Sequence, residues 1–223
     1  MLDTRMNIRK RSTKEQVYEI IKNRILTQEY EIGSKINIYT LSKELNVSNT
    51  PVREALSKLE TNGLVSALPN TGFQVFHPSD SEVMALEETM SILLTGSYIL
   101  CYNLHMIPEL TERLEKCLAK QRVVLESGTQ MEIALAAFAF DKTFFETLKN
   151  NELNQLYQIV LDKMLLLIYH DHMNGPGDIE EEFQEHIEIL NAVKADNVKV
   201  VVELITYHFN RRIYMRRLEN KKH

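Results

Sequence analysis

Residues 37–76 read NIYTLSKELNVSNTPVREALSKLETNGLVSALPNTGFQVF, and their pattern decides the fold of the first third of the chain. Leu41 and Leu45 fall at i, i+4, which predicts a short helix over about 40–45. Asn46 tolerates the left-handed backbone of a tight turn, and Val47 is the apolar residue of that turn. Thr50 is expected to cap a second helix, with Pro51 at its first position, where a missing N–H costs nothing. Val52, Ala55, Leu56 and Leu59 then recur at i, i+3, i+4 and i+7, so one face is buried; Asn49, Thr50, Arg53 and Ser57 point the other way. Asn62-Gly63 ends the helix. Leu64-Val65 and residues 73–76 are strand-like, joined by Pro69-Asn70-Thr71-Gly72, a turn.

A length of 223 residues suits one large or two modest domains, and 44% hydrophobic residues is enough for a proper core. No apolar run is expected to span a membrane. The opening MLDTRMNIRKRS lacks the apolar core of a signal peptide, so a cytoplasmic protein is expected. Cys101 and Cys117 are too few for a disulfide framework and read as buried free thiols. The net charge of −5 is uneven: residues 1–77 carry 11 Lys/Arg against 8 Asp/Glu, and residues 78–223 carry 15 against 23. A basic module followed by an acidic one suits a DNA-binding head on a body that does not touch DNA, with modest, salt-sensitive non-specific affinity.

Residues 5–14, RMNIRKRSTK, read either as a solvated terminus or as an arm on the DNA backbone. A helix is predicted over 13–28 with Val17, Ile20, Ile21 and Ile25 inward, then a short strand over 36–38. Residues 77–80 form a linker; Pro78 disfavours a helical His77, and Ser79 or Asp80 caps the next helix. Six amphipathic helices are predicted at about 80–104, 108–126, 130–149, 151–173, 178–195 and 197–219, separated by turn chemistry and making a bundle. The fold class is therefore mainly α, with an N-terminal module over 1–77 and an all-α helical bundle over 78–223. Tyr169-His170-Asp171-His172 reads as an exposed helix end, and Arg211, Arg212, Arg216 and Arg217 as cations favoured by a helix C-terminus.

The run VSNTPVREALSKLETNGLV, with a Gly-bearing hairpin after it, resembles the DNA-binding domain of the GntR family of bacterial transcription regulators over roughly residues 12–77. The resemblance implies a winged helix-turn-helix, with residues 50–62 as recognition helix and 69–72 as wing tip. It places Tyr39, Thr40, Asn49, Thr50, Arg53, Asn70, Thr71 and Gly72 against DNA. Family members commonly carry Arg where this chain has Tyr39 and Asn49, and Arg or Lys at Thr71; Arg53 is retained. Asn pairs with adenine and Thr meets a thymine methyl, so an operator weighted towards A·T is expected.

Residues 78–223 resemble the FCD domain, the effector-binding bundle of the FadR branch, in its smaller VanR-like form. The carrying segments are DKTFFETL (141–148), EHIEIL (185–190) and Tyr207-His208-Phe209. Many FCD domains hold a metal with an Asp and three His. Here Asp141, His186 and His208 match and Phe145 stands at the remaining position. Asp141 and Phe145 lie four apart on one helical face, so the ring is expected to enter the place of an imidazole. Three ligands with water still bind a transition metal of the zinc or nickel class. Two readings stay open: a metal site, or a metal-free organic pocket around Phe145, Asp141, His186 and His208.

The resemblance implies a homodimeric regulator, a repressor, whose grip on double-stranded operator DNA is set by a small organic acid. One alternative is a DNA-binding dimer whose bundle binds no effector. Another is a metal-dependent hydrolase, against which stands the lack of a general base of suitable spacing, a nucleophile or a Gly-rich phosphate loop.

Overall fold

The computed structural model describes residues 12–69, 72–172 and 179–219, and the side chains of these apart from 130, 168–172 and 211–219. Residues 5–11 of the basic arm, the wing-tip residues Asn70 and Thr71, and the side chains of His170, His172 and the final arginines lie outside that description. The chain divides into two compact units, Met1–His77 and Pro78–His223.

In the first unit, helix α1 (Thr13–Leu26) starts with a capping box. The Ser12 hydroxyl accepts from the Glu15 N–H at 3.4 Å, and the Glu15 carboxylate accepts from the Ser12 N–H at 2.8 Å. It buries Val17, Tyr18, Ile21 and Ile25, whereas Ile20, expected inward, is 39% exposed. Strand β1 (Lys35–Ile36) is shorter than predicted, and helix α2 (Ile38–Glu44) starts earlier. The reason is Asn37, whose side-chain oxygen accepts from the Thr40 N–H at 3.0 Å and so caps the helix where the sequence predicts strand.

Asn46 turns the chain at φ 52° into helix α3 (Asn49–Thr61). The expected Thr50 cap is replaced by Ser48, in extended backbone and with no side-chain cap bond, so Pro51 sits third in the helix. That position is tolerated because none of the first-turn amides has an intrahelical partner. Gly63, at φ 71°, releases α3 into strand β2 (Val65–Leu68), which pairs antiparallel with β3 (Gly72–Val75). The sheet order is β1-β3-β2. Helices α1 and α2 both pack on α3, which buries Val52, Ala55, Leu56 and Leu59.

The second unit is the six-helix bundle: α4 (Asp80–Asn103), α5 (Ile107–Ser127), α6 (Gln130–Leu148), α7 (Asn151–His172), α8 (Ile179–Lys194) and α9 (Val198–Glu219). Ser79 and Thr129 cap α4 and α6 through capping boxes with Glu82 and Glu132. The Asn150 side chain accepts from the amides of Glu152 and Leu153 at the start of α7. Helices α4, α6 and α8 are each left through a left-handed, non-glycine residue: His105, Lys149 and Asp196.

Helix α4 packs on α6, α7 and α9. An 18-residue window of this helix, with a mean hydropathy of 1.2, is long and apolar enough to cross a membrane by length and composition alone. Its inward residues Met90, Leu94 and Tyr98 serve the bundle core instead.

Candidate DNA-reading surface and ligand cluster

With the apolar face of α3 spent on α1 and α2, its opposite face carries Asn49, Thr50 and Arg53, all exposed. Glu60, further along the same helix, accepts the Ala67 N–H of β2 at 3.0 Å. A concavity of about 460 Å³ opens between the start of α2, α3 and the hairpin, lined by Tyr39, Arg53, Gly72 and Phe73 among others. Gly72 sits at φ +112°, and a Cβ there would lie 2.5 Å from the Ile36 carbonyl oxygen, so no other residue lets β3 pass β1 this closely. Asn49 is held across the turn: the Ser42 hydroxyl lies 2.7 Å from its Oδ1 and 2.9 Å from the Tyr39 carbonyl. Ser42, buried and absent from the motif reading, is what orients Asn49.

In the bundle, Asp141 comes from α6, His186 from α8 and His208 from α9. One ligand atom of each lies within 4.8 Å of the others. Two of these three residues carry buried polar atoms with no hydrogen-bond partner among the described residues, Asp141 Oδ1 and His186 Nε2. Orphaned buried polar atoms cost on the order of 1–3 kcal/mol each. Two together, facing a third potential ligand, fit the donor set of a cation.

The outer nitrogens of both imidazoles are engaged. His186 Nδ1 lies 3.0 Å from Gln121 Oε1, and His208 Nδ1 donates to Glu185 Oε2 at 2.6 Å. Each contact places the proton on Nδ1 and leaves the Nε2 lone pair for a ligand, the arrangement that orients metal-binding histidines.

Burial pushes the Asp141 carboxyl up to about 7, against a lowering by His208. Burial, and then His208, hold His186 well below the usual imidazole range. For His208 burial acts downward, but the Glu185 bond and the nearby Asp141 and Glu182 carboxylates raise it on balance. Without a cation the cluster thus keeps a costly carboxylate beside a neutral imidazole.

Phe145 is fully buried on α6, and its ring stacks on Tyr157 of α7 at 4.4 Å. The ring that meets His186 is Phe140, stacked at 4.2 Å with 13° between planes. Cys101 is buried and Cys117 partly buried, both as free thiols.

Two family models match in tandem: bacterial regulatory proteins of the gntR family over residues 13–75, and the FCD domain over residues 104–211. The chain belongs to the GntR family, with an FCD-type second domain. Among its relatives, the HTH-type regulator YdhC of Bacillus subtilis is 28% identical over 198 residues, covering 87% of each chain. The HTH-type transcriptional repressor RspR of Escherichia coli is 24% identical over 212 residues, covering 87% of this chain and 84% of its own. The fold is shared with solved structures. E. coli McbR/YncC has a TM-score of 0.75 at 19% identity, covering 95% of this chain and all of its own. A GntR regulator from Rhodococcus has 0.74 at 16%, covering 91% and 96%.

This GntR-family chain is therefore a DNA-binding transcription regulator and not an enzyme, and the hydrolase alternative falls. Its sequence concealed Gln121, Phe140 and Ser42. Gln121 lies 65 residues from its histidine, and no motif ties the two. Glu185, adjacent to His186 in the quoted EHIEIL segment, was the one legible hint of a supporting carboxylate.

Proposed function

We propose that this GntR regulator is a cytoplasmic, homodimeric repressor released from its operator by a small carboxylate-bearing metabolite bound at Asp141, His186 and His208. The observation that carries the reading is the convergence of these three ligands, with unpaired Asp141 Oδ1 and His186 Nε2 and with both Nδ1 atoms engaged from behind. Asp141, His186 and His208 would hold a divalent transition metal of the zinc or nickel class. When bound, it supplies a Lewis-acidic centre to which a carboxylate oxygen can coordinate. Gln121 and Glu185 hold the imidazoles in register, and Phe140 keeps one flank of His186 apolar. An effector shifts DNA affinity only by its differential affinity for the two placements of the DNA-binding heads.

The name of RspR, a repressor, supports repression. Pairing through the bundle is supported by the outward face of α4, where Ile92 is 71% and Ile99 39% exposed and the space beside Gly96 is open. Sedimentation of the full chain should show a dimer that Ile92→Glu weakens. A palindromic operator, with half-sites spaced by the dimer, is the expected target. Tyr39, Thr40, Asn49, Thr50, Arg53, Asn70, Thr71 and Gly72 are its proposed contacts.

The test is the metal content of protein purified without a His tag or chelator. About one transition metal per chain, lost in His208→Ala, is expected. Small carboxylates should then raise the melting temperature and release operator DNA. A second reading, a bundle that only dimerises, is favoured by Phe145 standing where a ligand would. A metal-free chain that takes up metal as Phe145→His, and whose melting temperature and operator release no metabolite extract alters, would favour it over a metal-free organic pocket.

A further inference from the structure

Lys43 lies in the last turn of α2, and its Nζ stands 4.3 Å from the centroid of the Tyr39 ring. The two are four residues apart and share one helical face. Both are exposed, Tyr39 to 60%. The neighbouring carboxylate, Glu44, is turned away to Arg24 at 2.6 Å. No carboxylate pairs with Lys43 among the described residues. The ring therefore positions the ammonium without neutralising it, as an aromatic face does.

Tyr39 is also a wall of the concavity it shares with Arg53 of α3 and Gly72 of the hairpin. An un-neutralised cation, held by an aromatic plate beside that concavity, has the chemistry of a contact to a phosphate oxygen. Phosphate contacts fix the register of a protein on duplex DNA, and each releases counterions.

We propose that Lys43 is a DNA-backbone contact and that Tyr39 is the plate that positions it. The pair places a fixed positive charge on α2, beside the face presented by α3. The proposal rests on DNA binding by the first unit and adds to it a cation that the recognition-helix reading does not include. Tyr39 acts here through Lys43: its aromatic face matters, and its hydroxyl matters less.

The test is the salt dependence of binding of the full-length protein to a short mixed-sequence duplex, measured by fluorescence anisotropy. Lys43→Gln should lower the slope of log K against log salt by about 0.9 for each copy engaged. Tyr39→Leu should weaken binding and lower the slope in the same direction, and Tyr39→Phe should lose less. Tyr39→Arg added to Lys43→Gln should restore the slope, because it returns a cation to the same face. Arg53→Gln is the companion measurement. If it lowers the slope and Lys43→Gln does not, the proposal is overturned while DNA binding by this surface stands. If neither changes the slope, the placement of DNA on this surface fails as well. Equal losses in Tyr39→Phe and Tyr39→Leu would make the phenol hydroxyl the contact, and would also overturn it. Circular dichroism melts of each variant separate these outcomes from unfolding.

Discussion

Asp141→Asn should stabilise the metal-free protein at pH 8, although it removes a candidate ligand. In the fold the Asp141 carboxyl is displaced from the ordinary aspartate value of 3.8 to about 7, chiefly by burial. A displacement of that size corresponds to about 4 kcal/mol between the two protonation states, so the ionised group weighs against folding. The folded value lies above the unfolded one, so the folded chain holds more protons between the two. The metal-free protein should therefore lose stability as pH rises from about 4 to about 7 and lose little more above that.

Asparagine keeps the shape and cannot ionise, but it buries an amide whose unmet hydrogen bonds cost on the order of 1–3 kcal/mol. The net gain at pH 8 is about 1–3 kcal/mol, on the order of 5 °C in melting temperature for a chain of this size. The assay is thermal unfolding of chelator-treated full-length protein at pH 5 and pH 8, monitored by circular dichroism. The variant should lead at pH 8 and lose that lead at pH 5. Added zinc should raise the melting temperature of the unmodified protein and do much less for the variant. A variant that is less stable at both pH values, with an unchanged pH slope, would refute the reasoning: Asp141 would then be a satisfied structural carboxylate.

The same geometry gives three further expected outcomes. Gln121→Leu removes the oxygen behind His186 and should weaken metal affinity by about 10–100-fold in chelator competition, with the bundle still folded. Gly72→Ala forces a Cβ to 2.5 Å from the Ile36 oxygen at φ +112°. It should cost the first unit on the order of 2 kcal/mol or more in urea unfolding and weaken DNA binding with it. Lys149→Gly relieves a left-handed residue at the end of α6, where φ is 53°, and should gain up to about 1 kcal/mol in the same assay.

What the sequence determined by itself is what local chemistry controls. The period of Val52, Ala55, Leu56 and Leu59 made α3 a one-sided helix, and Gly63 ended it. Ser79 marked the start of α4, and the six helices of the bundle lie within a few residues of their predicted bounds. The misplaced boundaries were also local. Asn37 took the cap and shortened the expected strand, and Ser48 rather than Thr50 opened α3, because the first turn of a helix accepts proline at more than one position.

Tertiary structure alone decided which side chains meet. His186 finds Gln121 and Phe140, His208 finds Glu185, and Phe145 turns to Tyr157. These meetings join different helices, all but that of Phe145 centre on the two imidazoles, and none is set by spacing along one helix. Four-residue spacing correctly put Asp141 and Phe145 on one face of α6. It could not say that α7 would offer a tyrosine to receive the phenylalanine ring. Helix faces are written in the order of residues; the partner of each face depends on how six helices close round a common core, where the burial of apolar rings and the pairing of buried polar atoms compete for the same space.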